Sequence, residues 1–213
     1  MRSIEALNLL NDGKIEELRD ILEDEAYQES LKSNPSAKKR YTAMKKYFGY
    51  VNQVREVLQK PCDIEFEGKS YTCFTNSWSL ALTTEDTGEI ELFDREKGNY
   101  PDITRLIRFD GLKKKIDFNK VIAEAKSKGY RLNKGEVNHN FKYLMLYDGT
   151  YYKIGLIDIT YGIINDGEVA MTYHPDGVKM PLTIKNDIGL CIIMPVKFNE
   201  VPDDGEYIII ETG

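Results

Sequence analysis

Nine residues near the C-terminus, Ile188 to Val196, read IGLCIIMPV and carry no charge. A run this apolar has no place on a surface and is too short for a buried helix, so it predicts a strand inside a buried sheet. It closes a block from Glu168 to Phe198 that also holds EVAMTY and VKMPLTI. Pro175-Asp176-Gly177 and Asn186-Asp187 are the turns between these runs. The block predicts antiparallel strands and contains nothing that looks like a catalytic centre.

A second set of short alternating runs lies upstream, over residues 62–93. CDIEF places Cys62, Ile64 and Phe66 on one face, and Glu67-Gly68 turns the chain. KSYTCFTN continues with Tyr71, Cys73 and Thr75 on one face, and Trp78, Leu80 and Leu82 extend the alternation. Thr87-Gly88 turns again before Ile90 and Leu92. Trp78 reads as core or sheet-face packing, with base stacking or ligand contact as the other reading. Residues 94–116 read as an extended connector, with Leu106-Ile107 docking on a sheet edge. Further on, FKYLMLY meets TYYKIGLI across Asp148-Gly149, a hairpin signal. Asp158 to Ile164 reads as a short strand or a helical turn, and EYIII near the end as an edge strand.

Helical periodicity appears in three places. Residues 3–31 predict two helices broken at Asn11-Asp12-Gly13, with Ile4, Leu7 and Leu10 on one face and Ile15, Leu18, Ile21 and Leu22 on another. Residues 37–59 predict one long helix. Its apolar stripe is Tyr41, Met44, Tyr47, Phe48, Val51, Val54 and Leu58, with Lys38, Lys39, Lys45 and Lys46 opposite. Arg40 and Arg55 fall in or beside that stripe and are expected to snorkel. Residues 117–128 predict a third helix, capped by Asp117, buried through Phe118, Val121, Ile122 and Ala125, and ended by Gly129.

In order, the chain reads as an α+β fold in which a unit of helix plus antiparallel β-meander occurs twice. The expected divisions are an acidic helical extension at 1–34 and a main domain at 35–213, with halves 35–110 and 111–213. Charge follows this plan. The net charge is −6, yet residues 35–60 hold seven basic residues against one acidic, and residues 111–134 hold eight against two. Residues 1–34 hold nine acidic residues against four basic. Two basic helices packed side by side would form a strip that binds phosphates by releasing counterions, without reading sequence. The acidic remainder would repel nucleic acid elsewhere.

Cysteine and histidine usage argues against chemistry. Cys62, Cys73 and Cys191 form no CxxC and sit in strand-like runs, so buried free thiols are expected. His139 and His174 lie in turn-like contexts, and neither a metal site nor a cofactor is expected. An enzyme would have to use Cys73 or Cys191 with one of those histidines, or the pair Asp63 and Glu65, which share a strand face on the solvent side. No Gly-rich phosphate loop, GxSxG or HExxH occurs. A signal-peptide core and a run of roughly 20 apolar residues are both missing, so no membrane association and a cytoplasmic location are expected.

Three stretches resemble the DNA sliding clamps, the processivity factors of replicative polymerases. Phe74-Thr75-Asn76-Ser77-Trp78-Ser79-Leu80 is similar to a clamp turn of the type T-D/N-G-x-x-L. Asn99-Tyr100-Pro101-Asp102-Ile103-Thr104-Arg105-Leu106-Ile107 resembles the bacterial clamp connector. Pro181-Leu182-Thr183-Ile184 with Gly189 to Val196 resembles the C-terminal strands that end in M-P-M/V-R. The resemblance spans residues 37–198. It departs from the family in having room for one domain rather than three, and in lacking the usual first strand before the first helix. It implies a single clamp-like, non-enzymatic domain that binds duplex DNA on its helices and forms a homo-oligomer. It also implies a cleft for a peptide of a polymerase or other replication protein, to which Met194 and Pro195 correspond. The residues expected to meet DNA are Lys38, Lys39, Lys45, Lys46, Arg55, Lys113, Lys114, Lys120, Lys126 and Lys128. The competing expectation is a protein-interaction or regulatory module of the same fold, with the acidic helices neutralising the strip.

Overall fold

The computed structural model describes residues 2–50, 55–107, 112–132, 143–147, 150–164, 170–173, 181–196 and 206–210. Two helices lead, α1 (Arg2–Asn11) and α2 (Ile15–Ser33), joined through Gly13 at φ 72°. The left-handed backbone there is natural only for glycine among the common choices. Helix α3 (Pro35–Lys46) follows, then the strands β1 (Cys62–Phe66), β2 (Lys69–Thr75) and β3 (Ser79–Thr83). After the connector come β4 (Leu112–Lys115), α4 (Phe118–Ser127), β5 (Tyr143–Tyr147), β6 (Thr150–Lys153) and α5 (Ile154–Ile164). The chain ends with β7 (Ala170–Tyr173), β8 (Leu182–Asn186), β9 (Gly189–Ile193) and β10 (Glu206–Ile210).

Seven strands form one antiparallel sheet in the order β1-β2-β3-β9-β8-β7-β4. The meander of the first half and that of the second therefore meet along β3 and β9, where Ala81 pairs with Cys191. A smaller sheet holds β10, β5 and β6, with β10 parallel to β5. The expected hairpin and edge strand are both present in it, although the turn Asp148-Gly149 lies outside the described residues, as does Pro175-Asp176-Gly177. The run from Ile188 is the strand β9 at the centre of the large sheet, buried along its whole length.

Strand alternation divides the core in two. Phe74, Ala81, Cys191 and Ile193 point to the helix side, and Cys73, Leu80, Leu82, Leu190 and Ile192 to the other. The connector covers the second side with Ile103 and Ile107, which lie on the sheet face, while Leu106 points to solvent. Ile90 and Leu92 form no strand; Ile90 sits in coil, partly buried against the helix-side core.

The helix over the centre of the sheet is α5, which packs against β3, β9, α3 and α4. The helix that packs on the sheet beside α3 is thus α5, rather than the basic α4 anticipated from the sequence. Neither a short strand nor a single turn, α5 begins where β6 ends, at Ile154. Its sequence IGLIDITYGII is rich in β-branched residues and poor in helix propensity. Tertiary burial overrides that: Ile154, Leu156, Ile157, Ile159, Ile163 and Ile164 are all buried, each worth roughly 1.5–3 kcal/mol. A closer approach of α3 is possible because Gly162 faces Ala43, where an added Cβ would lie 3.2 Å from the alanine methyl.

A buried polar cluster pins both helices to the start of β3. The Ser79 hydroxyl is 3.1 Å from Tyr47 Oη, receives a hydrogen bond from Thr160 Oγ1 at 2.9 Å, and donates to Asn76 Oδ1 at 3.3 Å. Burial pushes the Tyr47 phenol pKa far upward, so it stays a neutral donor.

Two substitutions test these contacts by denaturant unfolding. Ser79→Ala leaves buried hydroxyls short of a partner and is expected to destabilise by about 1–3 kcal/mol. At Gly189 an added Cβ would fall 2.0 Å from the Leu82 backbone oxygen. Gly189→Ala is therefore expected to lower stability by about 1–3 kcal/mol or more through strain at the β3–β9 seam.

Candidate functional site

Helix α3 starts at Asn34, whose Oδ1 accepts a hydrogen bond from Ala37 N at 3.1 Å, with Pro35 at the first helical position. It ends at Lys46 and tightens into a 3₁₀ turn over Tyr47–Tyr50, so it is about half as long as the 37–59 helix expected. Gly49 weakens the helix there, and Tyr47 and Phe48 are drawn into an aromatic group with Phe74. Val51 and Val54 lie outside the described residues. Arg55 falls before a short 3₁₀ segment at Glu56–Leu58, off α3.

The inner face of α3 buries Arg40, Tyr41 and Met44. Arg40 does not snorkel. It is 4% exposed, pairs with Glu85 Oε2 at 2.8 Å and donates to Ser36 Oγ at 2.9 Å. The outer face carries Lys38, Lys39, Lys45 and Lys46, all exposed, around Thr42. At 100° per residue these four span about a third of the helix circumference. Lys45 lies 3.9 Å from Glu89 and 5.0 Å from the centre of the Tyr41 ring. Lys38, Lys39 and Lys46 have no ion pair among the described residues, and α3 contains no acidic residue.

The second expected helix is differently placed and differently balanced. Asp117 caps α4 as anticipated, accepting from Lys120 N at 3.2 Å, and Phe118, Val121, Ile122 and Ala125 are buried. Each lysine there faces a carboxylate. Lys120 lies 3.6 Å from Asp117, Lys126 3.7 Å from Asp158 on α5, and Lys128 3.1 Å from Glu124. Lys113 and Lys114 belong to strand β4, paired with Thr172 and Met171 of β7, and not to a helix. The expected strip of two adjacent basic helices is therefore replaced by one lysine-rich helix, α3, and a charge-balanced one, α4, with the uncharged-to-acidic α5 packed against both.

Met194 and Pro195 follow β9 at a junction of the two sheets. Met194 N donates to Trp78 O at 2.9 Å, and Val196 N to Tyr151 O at 2.8 Å. Trp78 is 50% exposed and not core. It precedes β3 in a turn held by Asn76 Oδ1, which accepts from Trp78 N at 3.0 Å and Ser79 N at 2.8 Å, with Ser77 at φ 70°. Lys153 Nζ lies 5.7 Å from the Trp78 ring centre, a cation–π contact. Burial lowers the Lys153 pKa. Sequence alternation missed this indole because it treated the turn residue as part of the strand; Asn76-Ser77 was the available signal.

Of the residues weighed for catalysis, the described ones are two buried thiols and two exposed carboxylates. Burial raises the Cys73 thiol pKa to about 12 and that of Cys191 well above its ordinary value, which suppresses the thiolate. All three cysteines are buried and free, and His139 and His174 lie outside the described residues. Asp63 and Glu65 are both exposed. Among the described residues there is no metal-competent group of His, Cys, Asp and Glu, and no helix is long and apolar enough to cross a membrane.

No family model matches the chain, and no curated protein matches it. Solved structures are similar to it in fold, among them two bacterial proteins. The DNA polymerase sliding clamp from Bacillus subtilis is 12% identical with a TM-score of 0.45, over 76% of this chain and 63% of the clamp chain. The DNA polymerase III beta subunit from Thermotoga maritima is 9% identical with a TM-score of 0.46, over 79% and 64%. The chain thus covers less than two thirds of either clamp chain. The likeness is one of mixed helices and antiparallel sheet over part of each molecule.

The burial of Cys73 and Cys191 has a direct readout. An aromatic disulfide reagent at mildly alkaline pH is expected to leave both unlabelled in the native protein and to label them on unfolding. Rapid native labelling at either would show an activated thiol.

Proposed function

We propose that this chain is a non-enzymatic, clamp-like scaffold that holds duplex DNA without reading its sequence and serves as an accessory factor in replication. The observation that carries the reading is the outer face of α3, where Lys38, Lys39 and Lys46 stand exposed without an ion pair among the described residues, in a chain of net charge −6. Such a face binds by exchanging condensed cations for lysines, and the acidic remainder confines contact to it. Lys45 joins the face on giving up its contact with Glu89 at 3.9 Å. Lys120, Lys126 and Lys128 must first give up carboxylate partners, so their contribution is smaller. Lys113, Lys114 and Arg55 would extend the contact from β4 and from the segment after α3. Met194 and Pro195, beside the exposed Trp78, would receive a peptide from a polymerase or other replication protein. Several copies would be needed to surround a duplex.

A second reading is favoured by α1 and α2, which leave Ile4, Leu7, Leu10, Ile15 and Leu22 exposed on an acidic pair of helices. That surface suits a protein partner, and the chain would then be an interaction module that does not touch nucleic acid.

Anisotropy of a labelled duplex across a salt series separates the two. Under the DNA reading, log affinity falls linearly with log salt, and the triple variant K38E/K39E/K46E weakens binding by roughly tenfold or more at low salt. The triple variant K120E/K126E/K128E is expected to weaken it less. No binding at low salt, or binding indifferent to salt, gives the interaction module the better claim.

A further inference from the structure

The large sheet has an asymmetry at its two ends. In the second half β7 is flanked on its outer side by β4, but no described strand lies outside β1. The backbone of β1 makes the consequence definite. The two-residue turn Glu67-Gly68 closes its hairpin with Phe66 opposite Lys69, so Phe66, Ile64 and Cys62 exchange hydrogen bonds with β2. The N–H and C=O groups of Asp63 and Glu65 therefore point away from β2, toward the outer edge. The chain's own segment already takes part of this edge, since Phe93 N donates to Pro61 O at 2.6 Å just before β1. The Arg95 guanidinium donates through Nη2 to the Asp63 carbonyl, and through Nε to Cys62 Sγ at 3.4 Å.

Beside this edge runs a groove of about 430 Å³, lined by Asp63, Ile64, Glu65, Arg95, Tyr100 and Asp102. One wall is the strand edge, and the other is the connector. The Tyr100 hydroxyl, donating to Cys73 O at 3.5 Å, ties that wall to the sheet. Asp63 and Glu65 set two exposed carboxylates at alternate positions along the edge; Asp63 also accepts from Thr72 Oγ1 at 2.8 Å, and Asp102 on the connector is already ion-paired with Arg105 at 3.3 Å. Hydrogen bonds from Thr104 and the nearby Arg105 hold Asp102 ionised, below its ordinary pKa. A connector merely packed down on the sheet would have closed the space; here it leaves room for an extended backbone.

We infer that β1 is an acceptor edge for an extended segment of a partner protein that carries lysine or arginine at alternate positions. Its backbone adds a strand to the sheet through Asp63 and Glu65, and its basic side chains, on the face opposite Ile64, meet the carboxylates of Asp63 and Glu65. Strand addition of this kind takes affinity from main-chain hydrogen bonds and selectivity from alternate side chains. Arg95 occupies one acceptor in the free protein, and an incoming N–H replaces it. The inference is independent of the DNA reading, since it uses neither α3 nor α4.

The probe is a fluorescent, end-blocked peptide of about six residues alternating lysine and valine, with a version N-methylated at alternate residues and a glutamate-valine version. Saturable binding of the lysine peptide is expected, with at least a roughly tenfold loss on N-methylation and on the change of charge. Glu65→Pro removes an edge N–H that β2 does not use, so the fold is retained while the peptide is lost. Glu65→Lys keeps the N–H and reverses the charge, and it too is expected to weaken binding. Arg95→Ala is expected to tighten it by freeing the Asp63 carbonyl. Thermal melts of the three variants establish that they are folded. Equal binding of the N-methylated peptide, or unchanged binding by folded Glu65→Pro, would overturn the inference. Self-association that Glu65→Pro abolishes would give the edge to a second copy and overturn the assignment to a separate partner.

Discussion

The Ser79 hydroxyl is the point on which the helical layer is hung. It sits at the first residue of β3, beside the seam where the two meanders meet. It reaches Tyr47 just past the end of α3 and Thr160 in the middle of α5. Hydrogen bonds in so dry a place are strong, and leaving one unmade is costly. Two helices from distant parts of the chain are thereby given one depth and one register over the sheet. The orientation of the lysine face on α3 follows from this anchor, because Tyr47 fixes the rotation of the helix and Ala43 against Gly162 fixes its distance from α5.

Much of the sheet was legible because its strands alternate or are wholly apolar, and because its turns use glycine, asparagine and aspartate. CDIEF, KSYTCFT and the run from Ile188 all form the strands they suggest. The helices were read less well, for two physical reasons. A helix buried on all sides has no amphipathic period, so α5, with its many isoleucines, looked like strand or turn. Conversely, the stripe from Tyr41 to Leu58 kept helical spacing after the backbone had left the α-helix at Lys46. Arg40 shows the same limit at one residue, since Glu85, which helps make its burial tolerable, lies across the fold.

Charge counting had a similar blind spot. The segments around α3 and α4 carry equal excesses of basic residues in sequence. In three dimensions they differ, because carboxylates on α4 itself, at its cap and on α5 stand opposite the lysines of α4, whereas α3 has no acid of its own. A linear sum records the charges but not which of them are already engaged. The strand placement of Lys113 and Lys114 adds to the difference.

The residues Met194 to Val196 form a strap whose successive amides are tied to different sheets, one through Trp78 and one through Tyr151. Load applied to that strap is shared between the two sheets. A molecule that seized Met194 would pull on the turn that opens β3 and on the strand that leads into α5. The strap thus behaves as a mechanical coupling, and a grip on the surface there is felt at the buried end of the helical layer.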